Sequence, residues 1–368
     1  MRHLLPATLR IAVLLACLFA PAAADSATSN YLIVANQTGL IEFLDPASLK
    51  TLSSISVNLP LESTGLRGIF ADPNGHTVYI EGPVGPNSEA ANNCCWLYSI
   101  DLSTLQTTRV AGIWGTSSRH NLVNAGPGML QLTTRWPKNN NSAVDDRWQV
   151  SPDGRWWFGL RDGPALDLYD VANAKIARSF AAPSNSGQPA WATGAWLGNQ
   201  FYVYAKVEDS ARLWTLSPDS SELGDGVVIP DLNQSPVCSF EDIAQLIAAS
   251  HRLLLYEVFG GKVDRRFRCP SVPGGVSVLD PATGNLTATL ASERHFWTLV
   301  PNADGSEFFA ITSEEESMQT SANLLRISAK TGQILQQRTL GSGYSWLANA
   351  SLQSVPPGHV TVTLPTGL

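Results

Sequence analysis

The chain has 368 residues, of which 15% are charged, and a formal net charge of −7. An acidic balance with no basic stripe excludes nucleic acid as a partner, because phosphate binding needs a clustered basic face. Its 29 glycines and 23 prolines point to many turns and few helices, and its 11 tryptophans can fill a sizeable core.

In chain order, the first element is a leader. Arg2 and Arg10 give a basic start, residues 11–20 form an apolar run, and Ala22-Ala23-Ala24 ends it with small residues. This is the pattern of a secretory signal peptide, with cleavage expected after Ala24 and residues 25–368 forming one domain in the periplasm or outside the cell. A second reading takes Leu14-Leu15-Ala16-Cys17 as a lipoprotein box, which makes Cys17 a lipid anchor. No other stretch is long and apolar enough to span a bilayer. Loss of Arg2 and Arg10 takes the net charge from −7 to −9. The cysteines that remain are Cys94, Cys95, Cys238 and Cys269, an even number that suggests disulfides in an exported chain.

The rest of the chain carries a loose repeat. One turn with β-rich flanks recurs as "FADPNGHTVYIEG" (70–82), "VSPDGRWWFGL" (150–160), "LGNQFYVYAKV" (197–207), "ASHRLLLYEVF" (249–259) and "PNADGSEFFAIT" (301–312). "VPPGHVTVTL" (355–364) reads as a further copy. A second strand–turn–strand follows most copies: "LIEFLDPASLKTLSSI" (40–55), "LYSIDLSTLQTTRV" (97–110), "LDLYDVANAKIARSF" (166–180), "VSVLDPATGNLTATL" (276–290) and "LLRISAKTGQILQQRTL" (324–340). Asp45, Asp101, Asp170 and Asp280 open four of these turns, where a carboxylate can accept backbone N–H bonds. One unit is thus four antiparallel strands, A to D. The best helical stretch, "FEDIAQLIAAS" (240–250), falls in a strand-A slot. Tandem four-stranded units predict an all-β fold, a single β-propeller. Seven blades are favoured over six, with residues 114–145 as either a degenerate blade or an insertion. The N-terminal and C-terminal segments are expected to share one blade and close the ring, which removes open sheet edges.

"YLIVANQTGLIEFLDPASLKTLSSISV" (31–57) resembles the YVTN type of propeller repeat, within the WD40-like and quinoprotein amine dehydrogenase-like group. The likeness is one of fold; the Trp-Asp dipeptide of WD40 repeats is absent. What the resemblance implies is the geometry of such rings. Strand A lies innermost, its start shares one face with the B–C loop, and the A–B and C–D turns share the other. The B–C loops at about 82–94, 259–273 and 313–322 are long, which makes their face the expected functional one. The strand-A starts then place Arg67, Asp146, Arg147, Trp191, Glu241, Asp242, His295, Tyr344 and Trp346 around the channel mouth. Such a ring could hold a small polar ligand, or it could be a solvated lining with internal ion pairs.

On the same geometry Cys238 and Cys269 fall in one blade on that face. A bridge between them closes a loop of 32 residues and contributes about 3–4 kcal/mol. Cys94 and Cys95 belong to a different blade, too far for cross-pairing, and form either a vicinal disulfide or two thiols. No His-x-His pair occurs, and no metal site is predicted. "NADGSE" (302–307) and "SEEES" (313–317) have the oxygen-rich look of calcium loops, with ordinary turns as the competing reading. No Gly-x-Ser-x-Gly or phosphate-cradling loop occurs, and no cofactor is predicted. The expected function is a binding or interaction module for a protein partner or small polar ligand. The alternative is the cofactor-free propeller subunit of an amine-dehydrogenase-type enzyme, or a propeller lactonase or other hydrolase.

Overall fold

The computed structural model describes the chain from Thr28 to Pro365 apart from residues 60–64, 67, 73–74, 83–95, 113–121, 125–129, 133–146, 152, 154, 161–164, 171, 174, 182–183, 186–187, 190–191, 208–209, 230–242, 259–274, 293 and 314–321. Its regular elements are all strands. The chain begins with β1 (Ser29–Asn36), β2 (Leu40–Leu44) and β3 (Thr51–Asn58), followed by a four-stranded sheet of β4 (Gly68–Ala71), β5 (Thr77–Gly82), β6 (Trp96–Asp101) and β7 (Thr107–Gly112). A hairpin of β8 (Leu122–Asn124) and β9 (Leu130–Leu132) comes next. The next sheet is β10 (Arg147–Val150), β11 (Trp156–Leu160), β12 (Ala165–Asp170) and β13 (Lys175–Ala181). A short pair, β14 (Ser184–Asn185) and β15 (Gln188–Pro189), leads to β16 (Ala192–Leu197), β17 (Gln200–Val207), β18 (Ser210–Leu216) and β19 (Val227–Val228).

Two further sets of four follow: β20 (Ile243–Ala249), β21 (Arg252–Val258), β22 (Val276–Leu279), β23 (Leu286–Leu290), and β24 (His295–Pro301), β25 (Glu307–Ser313), β26 (Ala322–Ser328), β27 (Ile334–Thr339). They are joined by one parallel pair, Val258 opposite Phe296. The chain ends with β28 (Tyr344–Leu352) and β29 (Gly358–Thr363).

These units form a β-propeller. The innermost strands touch in the order β8, β10, β16, β20, β24, β28, β4. The core lies between neighbouring sheets: one cluster joins β1–β3 to β4–β7, and others join β10–β13 to β16–β19, that sheet to β20–β23, that one to β24–β27, and β24–β27 back to β1–β3. In the β10–β19 cluster Phe158 and Phe201 stack at 4.5 Å, with Trp196 tilted against both. Every repeat copy from 70 to 312 falls on an A–B turn, and every strand–turn–strand copy on a C–D hairpin. The 240–250 stretch supplies strand β20.

Among the described residues there are six four-stranded sets, and the β8–β9 hairpin within 114–145 lies against β10. Ring closure is as expected: β28 pairs along its length with β1, so the C-terminal segment provides the innermost strand of the N-terminal sheet. One expectation is corrected. Residues 355–364 are not another A–B copy. The place beside β28 is already taken by β1, so the chain crosses to the outer edge, and β29 pairs in parallel with β3, Gly358 opposite Ser53 through Thr363 opposite Asn58. The order is β28-β1-β2-β3-β29, five strands rather than four.

Candidate functional site

Antiparallel order puts the A–B and C–D turns at one end of the sheets and the B–C and D–A connections at the other. The turn end is built from self-satisfied carboxylates. Asp45 accepts from the N–H of Ala47 and Ser48 at 3.2 Å each, Asp101 from Ser103 and Thr104 at 2.9 and 2.8 Å, Asp170 from Asn173 at 3.1 Å and Asp280 from Ala282 at 2.8 Å. The bond from Ser103, with backbone N–H groups beside it, holds Asp101 down at about 2. Asp45 and Asp170 are lowered chiefly by side-chain bonds from Ser48 and Asn173. Four residues after the opening residue the backbone turns left-handed, at Leu49, Leu105, Gly284 and Gly332 (φ 55°, 59°, 71° and 71°). Glycine adopts that conformation without strain; Leu49 takes it while fully buried.

The A–B turns follow the same logic. In "NADGSE", Asp304 accepts from the Ser306 N–H, Asn302 from the Glu307 N–H, and Glu307 pairs with Arg326 at 2.7 Å. These oxygens, which gave the segment its calcium-loop look, serve the turn and the ion pair.

At the opposite end, Arg147, His295 and Tyr344 are the first residues of the innermost strands β10, β24 and β28, with Trp346 two residues into β28. Arg67, Asp146, Trp191, Glu241 and Asp242 lie outside the described residues, as do all four cysteines, "SEEES" beyond Ser313 and most of the three long B–C connections. Tyr344 and Trp346 have engaged polar atoms. The Tyr344 hydroxyl donates to Glu42 Oε2 at 2.6 Å, and the Trp346 indole N–H donates to the Leu66 carbonyl at 3.1 Å. Glu42, only 7% exposed, also accepts from Thr51 at 2.7 Å and from Arg338 at 2.7 Å. Burial pushes its carboxyl up, but the donors Tyr344, Thr51 and Arg338 outweigh it and leave it below the ordinary range. Burial first, and Glu42 second, push the Tyr344 hydroxyl up.

These bonds form a seam. Arg326, Gln336 and Arg338 of the last sheet donate to the carbonyls of Ala47, Ser48 and Leu49 at 2.8, 2.8 and 3.0 Å, while Arg338 also holds Glu42. Tyr344 and Trp346 therefore contribute their polar atoms to the joints on either side of the closing sheet. No sequence signal identified this network: Glu42 lies about three hundred residues from Arg338 and Tyr344, and the three belong to three different strands. Sequence reading also missed the ten-residue C–D segment 217–226 between β18 and β19. Its signal was Gly224-Asp225-Gly226, two glycines at positive φ. Among the described residues no three His, Cys, Asp or Glu side chains converge as a metal site, and no helix is long and apolar enough to cross a membrane.

No protein-family model matches the chain, and no curated protein matches it by sequence. Solved structures do match in fold. Dihydro-heme d1 dehydrogenase NirN is similar over 87% of this chain and 75% of its own, at 12% identity and a TM-score of 0.50. A Bacteroides fragilis protein described as a 6-phosphogluconolactonase is similar over 90% of this chain and 100% of its own, at 10% identity and a TM-score of 0.52. The Dos1 propeller aligns over 75% of this chain and 64% of its own, at 11% identity and a TM-score of 0.39. At identities this low, the first two likenesses show a shared fold and nothing finer.

Proposed function

We propose that this propeller is an exported binding module whose ligand or partner meets the end that carries the long B–C connections. The observation that supports this is the contrast between the two ends. The turn end spends its carboxylates on its own backbone, which leaves it a scaffold. The other end brings the starts of β10, β24 and β28 toward the axis beside long connections. Arg67, Asp146, Arg147, Trp191, Glu241, Asp242 and His295 are the proposed contacts, with Tyr344 and Trp346 bracing the closing sheet. Export follows from the leader ending at Ala24, and the Cys238–Cys269 and Cys94–Cys95 bridges would stiffen two of the long loops.

A second reading is a propeller enzyme or enzyme subunit. It is favoured by the activities named for the dehydrogenase and the lactonase of similar fold, and it ranks below binding because the sequence holds no Gly-x-Ser-x-Gly or phosphate-cradling motif. The test is native capture from the exporting host, with mass spectrometry of bound proteins and small molecules. The combined Arg67→Ala, Asp242→Ala and His295→Ala variant should lose at least tenfold in affinity for whatever is captured, and Asp280→Asn at the turn end should lose none. Unchanged affinity in the triple variant removes the mouth as the site.

A further inference from the structure

The ring contains an internal precedent for peptide binding. Strand β29 lies on the outer edge of β3 and sends Val362 and Leu364 into the gap between the closing sheet and β4–β7, where they pack with Tyr98. The Thr107 hydroxyl of β7 donates to the Thr363 carbonyl at 2.8 Å. An outer strand, the neighbouring sheet and an apolar gap between them thus accept one extended segment.

The same parts recur between β13 and the β16–β19 sheet. Glu42 lies opposite Ser54 and Asp167 opposite Ser179, each the second pair beyond the bulge in its hairpin, so Ser53, Ser54 and Ile55 of β3 correspond to Arg178, Ser179 and Phe180 of β13. Counting back from the C–D turn, Tyr98 of β6 corresponds to Trp214 of β18. Where β29 would lie there is a groove of about 460 Å³, with Ser179, Phe180 and Ala181 on one side and Val207 and Trp214 on the other. Among the described residues no strand pairs with the outer edge of β13.

Segment 217–226 forms the groove's outer wall. Gly226 lies directly on the Trp214 ring, since a Cβ there would fall 2.6 Å from the indole. Arg178 reaches across to the Ser220 carbonyl at 2.5 Å and Arg212 holds the Asp225 carbonyl at 2.7 Å. Ser53 donates to the carbonyls of Pro356, two residues before β29, and Gly358, its first residue. Arg178 stands in its place and closes one end, which leaves room beside Ser179–Ala181. Glu222, Asp225 and Arg212 line the rim.

We propose that this groove binds a short extended segment of a partner protein. The segment pairs in parallel with β13 by strand addition, buries an aliphatic side chain against Phe180 and Trp214, and sets a Lys or Arg against Glu222 and Asp225. The occupant is defined by the precedent of β29, whose Val-x-Val-x-Leu alternation fits the equivalent gap, and by the rim carboxylates Glu222 and Asp225, since Arg178 and Arg212 are turned to the Ser220 and Asp225 carbonyls. The groove lies along the outer strand, between the C–D segment 217–226 and the strand ends Ala181 and Val207, and uses none of the proposed mouth residues.

The test uses the full chain and a fluorescein-labelled peptide, Lys-Val-Thr-Val-Thr-Leu-Lys, followed by anisotropy. Saturable binding is expected, with at least a tenfold loss in Ala181→Trp, which fills the groove, and in a peptide N-methylated at both valines. Glu222→Gln with Asp225→Asn should weaken binding severalfold and flatten its salt dependence. Absence of saturable binding overturns the proposal, and so does affinity unchanged by Ala181→Trp, the result expected if the peptide displaces β29 instead. Should Ala181→Trp fail to fold, the double carboxylate variant decides alone, and unchanged affinity there overturns the proposal.

Discussion

Strands β3 and β13 hold the same place in their sheets and differ in what lies beside them. Strand β3, covered on its outer side by β29, alternates buried and half-buried residues from Ser53 to Val57, whereas β13 buries only Phe180. Their paired strands each carry a buried carboxylate at the same position. Glu42 is gathered into the ring-closing seam with Arg338 and Tyr344, while Asp167 accepts from Ser179 of its own hairpin at 2.5 Å. The difference teaches that closure is local. One sheet takes its innermost strand and a fifth strand from the far end of the chain and shares the buried Glu42 network with the last sheet, and among the described residues no other sheet has a fifth outer strand.

The comparison can be broken most severely by removing the cover. Deleting residues 354–368 would turn β3 into a second β13. Loss of buried Val362 and Leu364 at about 2–3 kcal/mol each should lower stability by about 4–6 kcal/mol, seen as a large drop in the urea midpoint. An unchanged midpoint would show that β29 is ornamental. Breaking the seam comes next. Glu42→Ala leaves Arg338 and Tyr344 without their shared acceptor. An orphaned buried partner costs about 3–5 kcal/mol, and with Arg338 still 28% exposed the expected loss is about 2–3 kcal/mol, checked by the same denaturation.

Acid sharpens the same point. The Glu42 carboxyl is lower in the folded chain than its ordinary 4.5, so the folded state holds its proton more weakly than the unfolded chain does. Its contribution is present above about pH 4.5 and is lost as pH falls through the lowered folded value. Asp101 acts in the same direction between 3.8 and about 2. Stability should therefore fall below pH 4.5, and Glu42→Gln should make that decline shallower; equal slopes would exclude Glu42 from the acid response. The smallest effect separates two turns. Leu49 and Leu105 share the left-handed position, but Leu49 is 1% exposed and Leu105 only half-buried. Leu49→Gly should cost about 2 kcal/mol, a buried leucine's loss less about 1 kcal/mol of relieved strain. Leu105→Gly should lie within about 1 kcal/mol of zero on the same thermal melt.

The repeat made most of the strands legible, since period-2 alternation and Asp- or Gly-marked turns are local signals. The capping aspartates were legible for the same reason: Asp45, Asp101, Asp170 and Asp280 act within three residues of themselves. The 240–250 stretch reads as a helix by composition alone, and its position in the repeat decided correctly for a strand. The role of Tyr344 was not legible. Its place at the start of an innermost strand follows from the repeat, but the acceptor of its hydroxyl lies 302 residues away.

By itself, then, the sequence determined the strand, the turn and the four-strand unit, because each is set by side chains within a few residues. Tertiary structure alone decided where β29 goes, which carboxylate closes the ring and which outer edge is covered. Those outcomes depend on what space the neighbouring sheet leaves, and that space exists only once the sheets are packed.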